Sequence, residues 1–214
     1  MTVQMLPDSA MDALRRSVRK SLPELEMIAD ERLREKVVDA WTLALSETEF
    51  EKIEDIRASG RPLGPPLKNG SQADHLRGVA LVALAIADSL EKLVGPFGVN
   101  RDILIASALC HDIGKPFEFS PRNQTRWEAD PAKSGWPSLR HPIYGAHICL
   151  TAGLPEAVAH AAAAHSAEGA NVQRSLENTI VYFADHAFWQ VLNRGHMLDG
   201  YYPSTDPRGP ATSF

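Results

Sequence analysis

Six side chains in this 214-residue chain are of the kinds that bind transition metals and occupy positions where lone pairs can converge: His75, His111, Asp112, His141, His165 and Asp185. His75 shares a helical face with Val79 and Val82, at i+4 and i+7. Asp185 has Val181, Phe188, Trp189 and Leu192 around it at helical spacings, so its carboxylate faces the core. An isolated ionised carboxylate there costs several kcal/mol. A neighbouring cation removes that cost, because it becomes the largest local charge. His111 and Asp112 end an apolar helix just before Gly114, His141 precedes a helix start at Pro142, and His165 ends a helix begun at Pro155. A lone helical histidine is more often a surface or hydrogen-bonded residue than a ligand. That plainer reading is applied to His147, His160, His186 and His196. It explains poorly an adjacent His-Asp pair together with four further residues of this kind on separate helices.

The elements that must position these residues read as helical throughout. Residues 8–59 form two or three amphipathic helices, with capping-box spacing at Ser21 and Glu24 and apolar residues recurring from Leu25 to Leu45. The Gly/Pro-rich run 60–70 breaks the pattern, as a boundary or as a loop over a site. Ser71 with Asp74 caps a helix to about Val94, and Asn100 caps the next. A long loop with Trp127 and Trp136 follows over 117–140, and helices are expected near 142–151, 155–165 and 175–192. No alternating strand is found, so the fold class is all-α. The expected organisation is an N-terminal helical extension over 1–60, a main domain over 71–192 and an irregular tail over 193–214.

Composition narrows the function classes. Hydrophobic residues make up 44% and charged residues 23%, the balance of an ordinary globular domain. The net charge of -5, with no Lys/Arg block, argues against nucleic acid as the main ligand. No run approaches the length of a membrane span, and the first ten residues lack the features of a secretory signal. Two cysteines, Cys110 and Cys149, make no disulfide framework, which points to a reduced, cytoplasmic protein. Cys110 turns away from His111 on its helix and reads as core packing.

The ordered series resembles the HD-domain superfamily of metal-dependent phosphohydrolases. It runs from His75 through His111-Asp112, in Cys-His-Asp-Ile-Gly-Lys115, to His141, in His-Pro-Ile-Tyr-Gly-Ala146, then His165, then Phe-Ala-Asp185. The resemblance covers roughly 71–192 and implies an HD-domain helical bundle with the N-terminal extension added to it. Members with one metal keep the first His, the His-Asp pair and the last Asp. The two intermediate histidines belong to members with two metals. The resemblance therefore implies that His75, His111, Asp112 and Asp185 hold one ion, with Asp112 bridging to a second held by His141 and His165. Four imidazoles and two carboxylates suit Fe above all, or Mn, Co or Ni, and the absence of thiolates argues against structural zinc. No organic cofactor is implied.

Such a pair of ions makes a locally positive pocket suited to a small anionic or polar substrate. The expected activity is hydrolysis of a small phosphorylated substrate by water activated between the ions, with Asp112 as the bridge and Lys115 as an electrostatic helper. Lys115, Arg140, Ser166 and Glu168 are the expected substrate contacts, and Arg77 is a weaker one. The Trp-bearing loop 117–140 is expected to form a wall or lid. The same ligand set also serves mixed-valent diiron oxygenases of this superfamily, which cleave C–C or C–P bonds with O2, and Ser166 following His165 is similar to their pattern. The extended signature of the cyclic-di-GMP phosphodiesterases is missing. A third reading is a catalytically inactive metal- or ligand-binding module. The N-terminal helices either cover the site opening or form a homodimer interface.

Overall fold

The structure, a computed structural model, describes residues 7–62 and 64–200. Its α-helices are α1 (Asp8–Ser21), α2 (Glu31–Ser46), α3 (Gln72–Val94), α4 (Arg101–Cys110), α5 (Lys115–Phe119), α6 (Pro121–Glu128), α7 (Pro131–Ser134), α8 (His141–Thr151), α9 (Glu156–Ala164) and α10 (Leu176–Arg194). Among the described residues the regular structure is helical, apart from an isolated antiparallel bridge between Leu67 and Leu198. The all-α fold class is the one the sequence dictates. No described helix is long and apolar enough to cross a membrane.

Local sequence sets the helix starts that matter for the site. The Asp74 carboxylate accepts from the Ser71 backbone N–H and hydroxyl, each at 2.8 Å, closing a capping box that opens α3 three residues before His75. Asn100 caps α4 by accepting from the Ile103 N–H, and Ser175 caps α10 by accepting from the Asn178 N–H. Gly95, at φ 88°, ends α3 in a conformation that side chains with a Cβ disfavour.

Helix α4 is the centre of the molecule. Leu104 through Cys110 are all buried, and α4 packs against α2, α3, α9 and α10. A helix apolar on every side has to be enclosed in this way. The N-terminal helices share its core: the Trp41 indole N–H of α2 donates to the Leu109 carbonyl at 2.9 Å, two residues before His111. Asp102 at the start of α4 accepts from the Ala29 and Asp30 N–H groups, fastening the turn before α2.

Three local expectations are corrected. Ser21 closes α1 instead of capping a helix, and its hydroxyl donates to the Ser17 carbonyl and Glu54, while Asp30 caps α2. The segment 117–140 is no open loop. After α5 ends at Phe119 it folds into α6 and α7, each with Pro at its start and a Ser120 or Asp130 cap. Of the expected tail 193–214, the first two residues are the end of α10, and 201–214 lie outside the described residues.

Candidate metal centre

The backbone brings His75 from α3, His111 and Asp112 from the turn after α4, His141 from the start of α8, His165 from the end of α9 and Asp185 from the middle of α10 to one place. Asp112 sits between two groups. Its Oδ2 lies 3.1 Å from His75 Nε2 and 3.3 Å from His111 Nε2, and Asp185 Oδ1 lies 3.3 Å from His75 Nε2 on the same side. Its Oδ1 lies 3.2 Å from His141 Nε2 and 3.5 Å from His165 Nε2. One carboxylate thus presents one oxygen to each of two donor groups.

The outward-facing ring nitrogens determine which atoms face inward. His111 Nδ1 donates to the Ala108 carbonyl at 2.7 Å, His165 Nδ1 donates to the Ala162 carbonyl at 2.9 Å, and His141 Nδ1 pairs with the Glu118 carboxylate. With Nδ1–H committed outward, each Nε2 turns its lone pair towards the carboxylate oxygens. Nitrogen faces nitrogen across both groups: His75 and His111 Nε2 are 3.1 Å apart, and His141 and His165 Nε2 are 3.3 Å apart. Asp185 Oδ1 is buried without a hydrogen-bond partner. Converging lone pairs and an orphaned buried carboxylate oxygen are what a cation relieves, so the residues present fit a divalent metal. Among the described residues, two three-residue groups, His75/His111/Asp185 and His111/Asp112/His165, have ligand atoms close enough together to hold an ion.

The electrostatics point the same way. Burial alone would raise the Asp112 carboxyl, but the Lys115 ammonium and His111 hold it well below the usual carboxylate range. Burial likewise opposes ionisation of Asp185, and His111 and His75 overcome it. Burial pushes the His75 imidazole down to about 4 and lowers His165 too. His111 is the exception: despite burial, the charges of Asp112 and Asp185 raise it.

Around the ligands lies a narrow cleft of about 20 Å³, lined by Gly60, Asp112, Lys115, Arg140, His141, His165, Ser166, Asp185 and Trp189. Of the expected substrate contacts, Lys115, Arg140 and Ser166 line it. Lys115 is buried, with Nζ 2.7 Å from Asp112 Oδ2. Glu168 stands behind, accepting from Arg140 Nε at 3.1 Å and from the Ser166 hydroxyl. Arg77 is not there: it pairs with Glu24 of the N-terminal region at 3.0 Å. Neither Trp127 nor Trp136 lines the cleft. Trp127 is buried with its ring near that of Phe117, and Trp136 is exposed. Ser59 and Gly60 supply a strap at the rim, because the Ser59 carbonyl accepts from Lys115 Nζ at 2.7 Å and Gly60 lines the cleft.

Two neighbours of the site, Gln72 and Glu118, stand outside the pattern of the sequence, and a third, Trp189, reads there only as core beside Asp185. Gln72 donates to Asp112 Oδ2 at 2.9 Å, Trp189 tilts over the His75 ring at 4.8 Å, and Glu118 is wholly buried against His141 and Arg140. Burial would raise the Glu118 carboxyl, yet its interaction and hydrogen bonds with His141, together with Arg140, lower it to about 2. Gln72 and Trp189 carry a faint signal, one turn from His75 and Asp185 respectively. Glu118 carries none, since one Glu after a Pro reads as surface.

Comparisons with known proteins bear on this geometry. The family model described as the HD domain matches residues 73–187. A dihydroneopterin 2',3'-cyclic phosphate phosphodiesterase of Methanocaldococcus jannaschii is 29% identical over 168 residues, covering 76% of this chain and 65% of that protein. The chain thus spans a little under two thirds of that relative's length. No solved structure matches.

Proposed function

The chain belongs to the HD-domain family, and from that premise we propose that it is a metal-dependent phosphohydrolase that acts on a small phosphodiester through two ions. The observation that carries this reading is Asp112, with one oxygen towards His75, His111 and Asp185 and the other towards His141 and His165. On this reading the first group and Asp112 hold one ion, and Asp112, His141 and His165 hold the other. Bound divalent ions would lower the pKa of a water and take up charge on the displaced oxygen.

The chain's own residues supply the rest. Lys115 and Arg140 are the cationic groups of the cleft, placed to meet the non-bridging oxygens of a phosphate. The Ser166 hydroxyl, beside His165, offers a neutral hydrogen bond at the same rim. Glu168 holds Arg140 from behind and so acts on an anion through it. The relative's activity on a 2',3'-cyclic phosphate supports a cyclic diester as the first substrate class to examine, and supports hydrolysis over the oxygenase chemistry that the same ligand types also serve.

The test combines metal content with a substrate panel. Protein purified without chelator and reloaded with Mn2+ should carry two ions per chain and hydrolyse 2',3'-cyclic phosphodiesters ahead of phosphomonoesters. Asp112→Ala should lose both ions and all activity, whereas His141→Ala should lose mainly the second. Full retention of metal in both variants sinks the two-ion assignment. Two irons with substrate-dependent O2 consumption would replace hydrolysis by the oxygenase reaction.

A further inference from the structure

The two ligand groups are supported differently from behind. His111 and His165 each turn Nδ1 towards a backbone carbonyl of their own helix, Ala108 and Ala162. His141 alone of these three turns Nδ1 towards a carboxylate, that of Glu118 on α5. Glu118 Oε2 also accepts the His141 backbone N–H at 2.9 Å, while Oε1 accepts from Arg140 Nη1 at 2.8 Å. Its side chain has no exposure to solvent. Arg140 Nε in turn reaches Glu168, and Glu168 accepts from the hydroxyl of Ser166, the residue after His165. A chain of side chains therefore runs from one histidine of the second group to the neighbour of the other, with Glu118 and Arg140 in the middle.

We propose that Glu118 is a positioning residue with two tasks: one oxygen fixes His141 as a ligand for the second ion, and the other aims the Arg140 guanidinium at the substrate anion. The proposal rests on the two-ion reading above. A carboxylate behind an imidazole fixes its tautomer and ring orientation and makes Nε2 a stronger donor than a backbone carbonyl does. The second group needs this more than the first, because its only other carboxylate oxygen is the shared one of Asp112. Arg140 has five N–H donors in a fixed fork. Glu118 and Glu168 occupy Nη1 and Nε, which orients the plane and leaves further donors for the cleft that Arg140 lines. Metal loading and anion binding then share one support.

Glu118→Gln separates the tasks from mere packing, since it keeps the shape and removes the charge. A glutamine that accepts from His141 with its oxygen must turn its NH2 towards Arg140, so both bonds cannot survive. Calorimetric titration with Mn2+, with elemental analysis after gel filtration, should give two ions for the unaltered chain. In Glu118→Gln the first ion should be unchanged and the second weakened about 10–100-fold. With Mn2+ saturating, KM for the diester should rise more than kcat falls. Two ions of unchanged affinity in Glu118→Gln would overturn the role of Glu118 and leave the two-ion reading standing. A single ion in the unaltered chain would overturn both. Should the variant not fold, long-range 1H–15N correlation on the Zn2+-loaded unaltered chain decides the matter. His141 should show a protonated Nδ1 with a strongly downfield proton and a metal-bound Nε2, and the reverse tautomer would refute the proposal.

Discussion

A buried lysine is held by whatever accepts its protons, and Lys115 has three acceptors: Asp112 Oδ2 at 2.7 Å, the Ser59 carbonyl at 2.7 Å and Gln72 Oε1 at 3.4 Å. An ammonium has three N–H donors, so this arrangement uses all of them. Lys115 therefore reaches a substrate anion only by releasing one partner, and the strap carbonyl of Ser59 is the partner that carries no charge. Lys115 also neutralises Asp112, which makes its removal costly when no other cation is near. Breaking a buried ion pair by deleting one partner costs about 3–5 kcal/mol. Lys115→Met should lower the stability of the metal-free chain to urea by about that amount. Saturating Mn2+ should recover much of the loss, because the ion supplies the charge that Asp112 has lost. An equal loss with and without Mn2+ would show that Lys115 acts through packing alone.

At the scale of elements, the site depends on how closely the turn after α4 approaches α8. Gly114 has no room for a side chain: a Cβ there would lie 2.1 Å from the His141 carbonyl oxygen and 2.7 Å from the Gly145 nitrogen. Both neighbours are backbone, so α8 would have to move, and His141 with it. Gly114→Ala should cost about 1–3 kcal/mol, as overpacking does. It should also weaken the second ion while leaving His75 and Asp185 able to hold the first. A thermal melt and an Mn2+ titration on the same sample check both halves, and an unaltered second site would mean that α8 accommodates the methyl group by sliding along its own axis. The sequence announced this region only in part. His111, Asp112 and Gly114 stand in one short motif, α3, α4 and α10 have caps that can be read, and Pro142 and Pro155 mark the starts of α8 and α9, so the gathering of the cluster was legible. The short helices α6 and α7 were not, because Pro121 and Pro131 serve equally as helix starts and as breakers. Glu118 was hidden for a related reason: only the return of α8 onto α5 shows that its carboxylate points inward.

At the scale of the whole molecule, the cleft is narrow. About 20 Å³ remains above the ligands, which is room for a water and not for a diester. The strap at its rim is held at Ser59, and residues 66–68 are held against the chain after α10. Lys115 holds the Ser59 carbonyl, and the Lys68 N–H donates to the Met197 carbonyl at 2.9 Å while the Asp199 N–H donates to the Pro66 carbonyl at 2.9 Å. Beneath it, Ala58, Leu67, Trp189 and Leu198 form an apolar cluster separate from the main core. Small satellite clusters of this kind open at a lower free energy than the core they lean on. The proposed diester would therefore need the strap to lift away from Trp189, and Leu198 packs in the cluster that resists that movement. Leu198→Ala removes buried contact worth about 2–5 kcal/mol at a closed site. Here that loss falls on the opening of the strap, so hydrogen exchange at the Leu67 and Lys68 amides should accelerate while amides of α4 stay protected. Metal content should not change, and kcat should rise if lifting the strap limits turnover. Exchange that accelerates equally in α4 would mean that strap and core unfold together, and that the diester enters by another face.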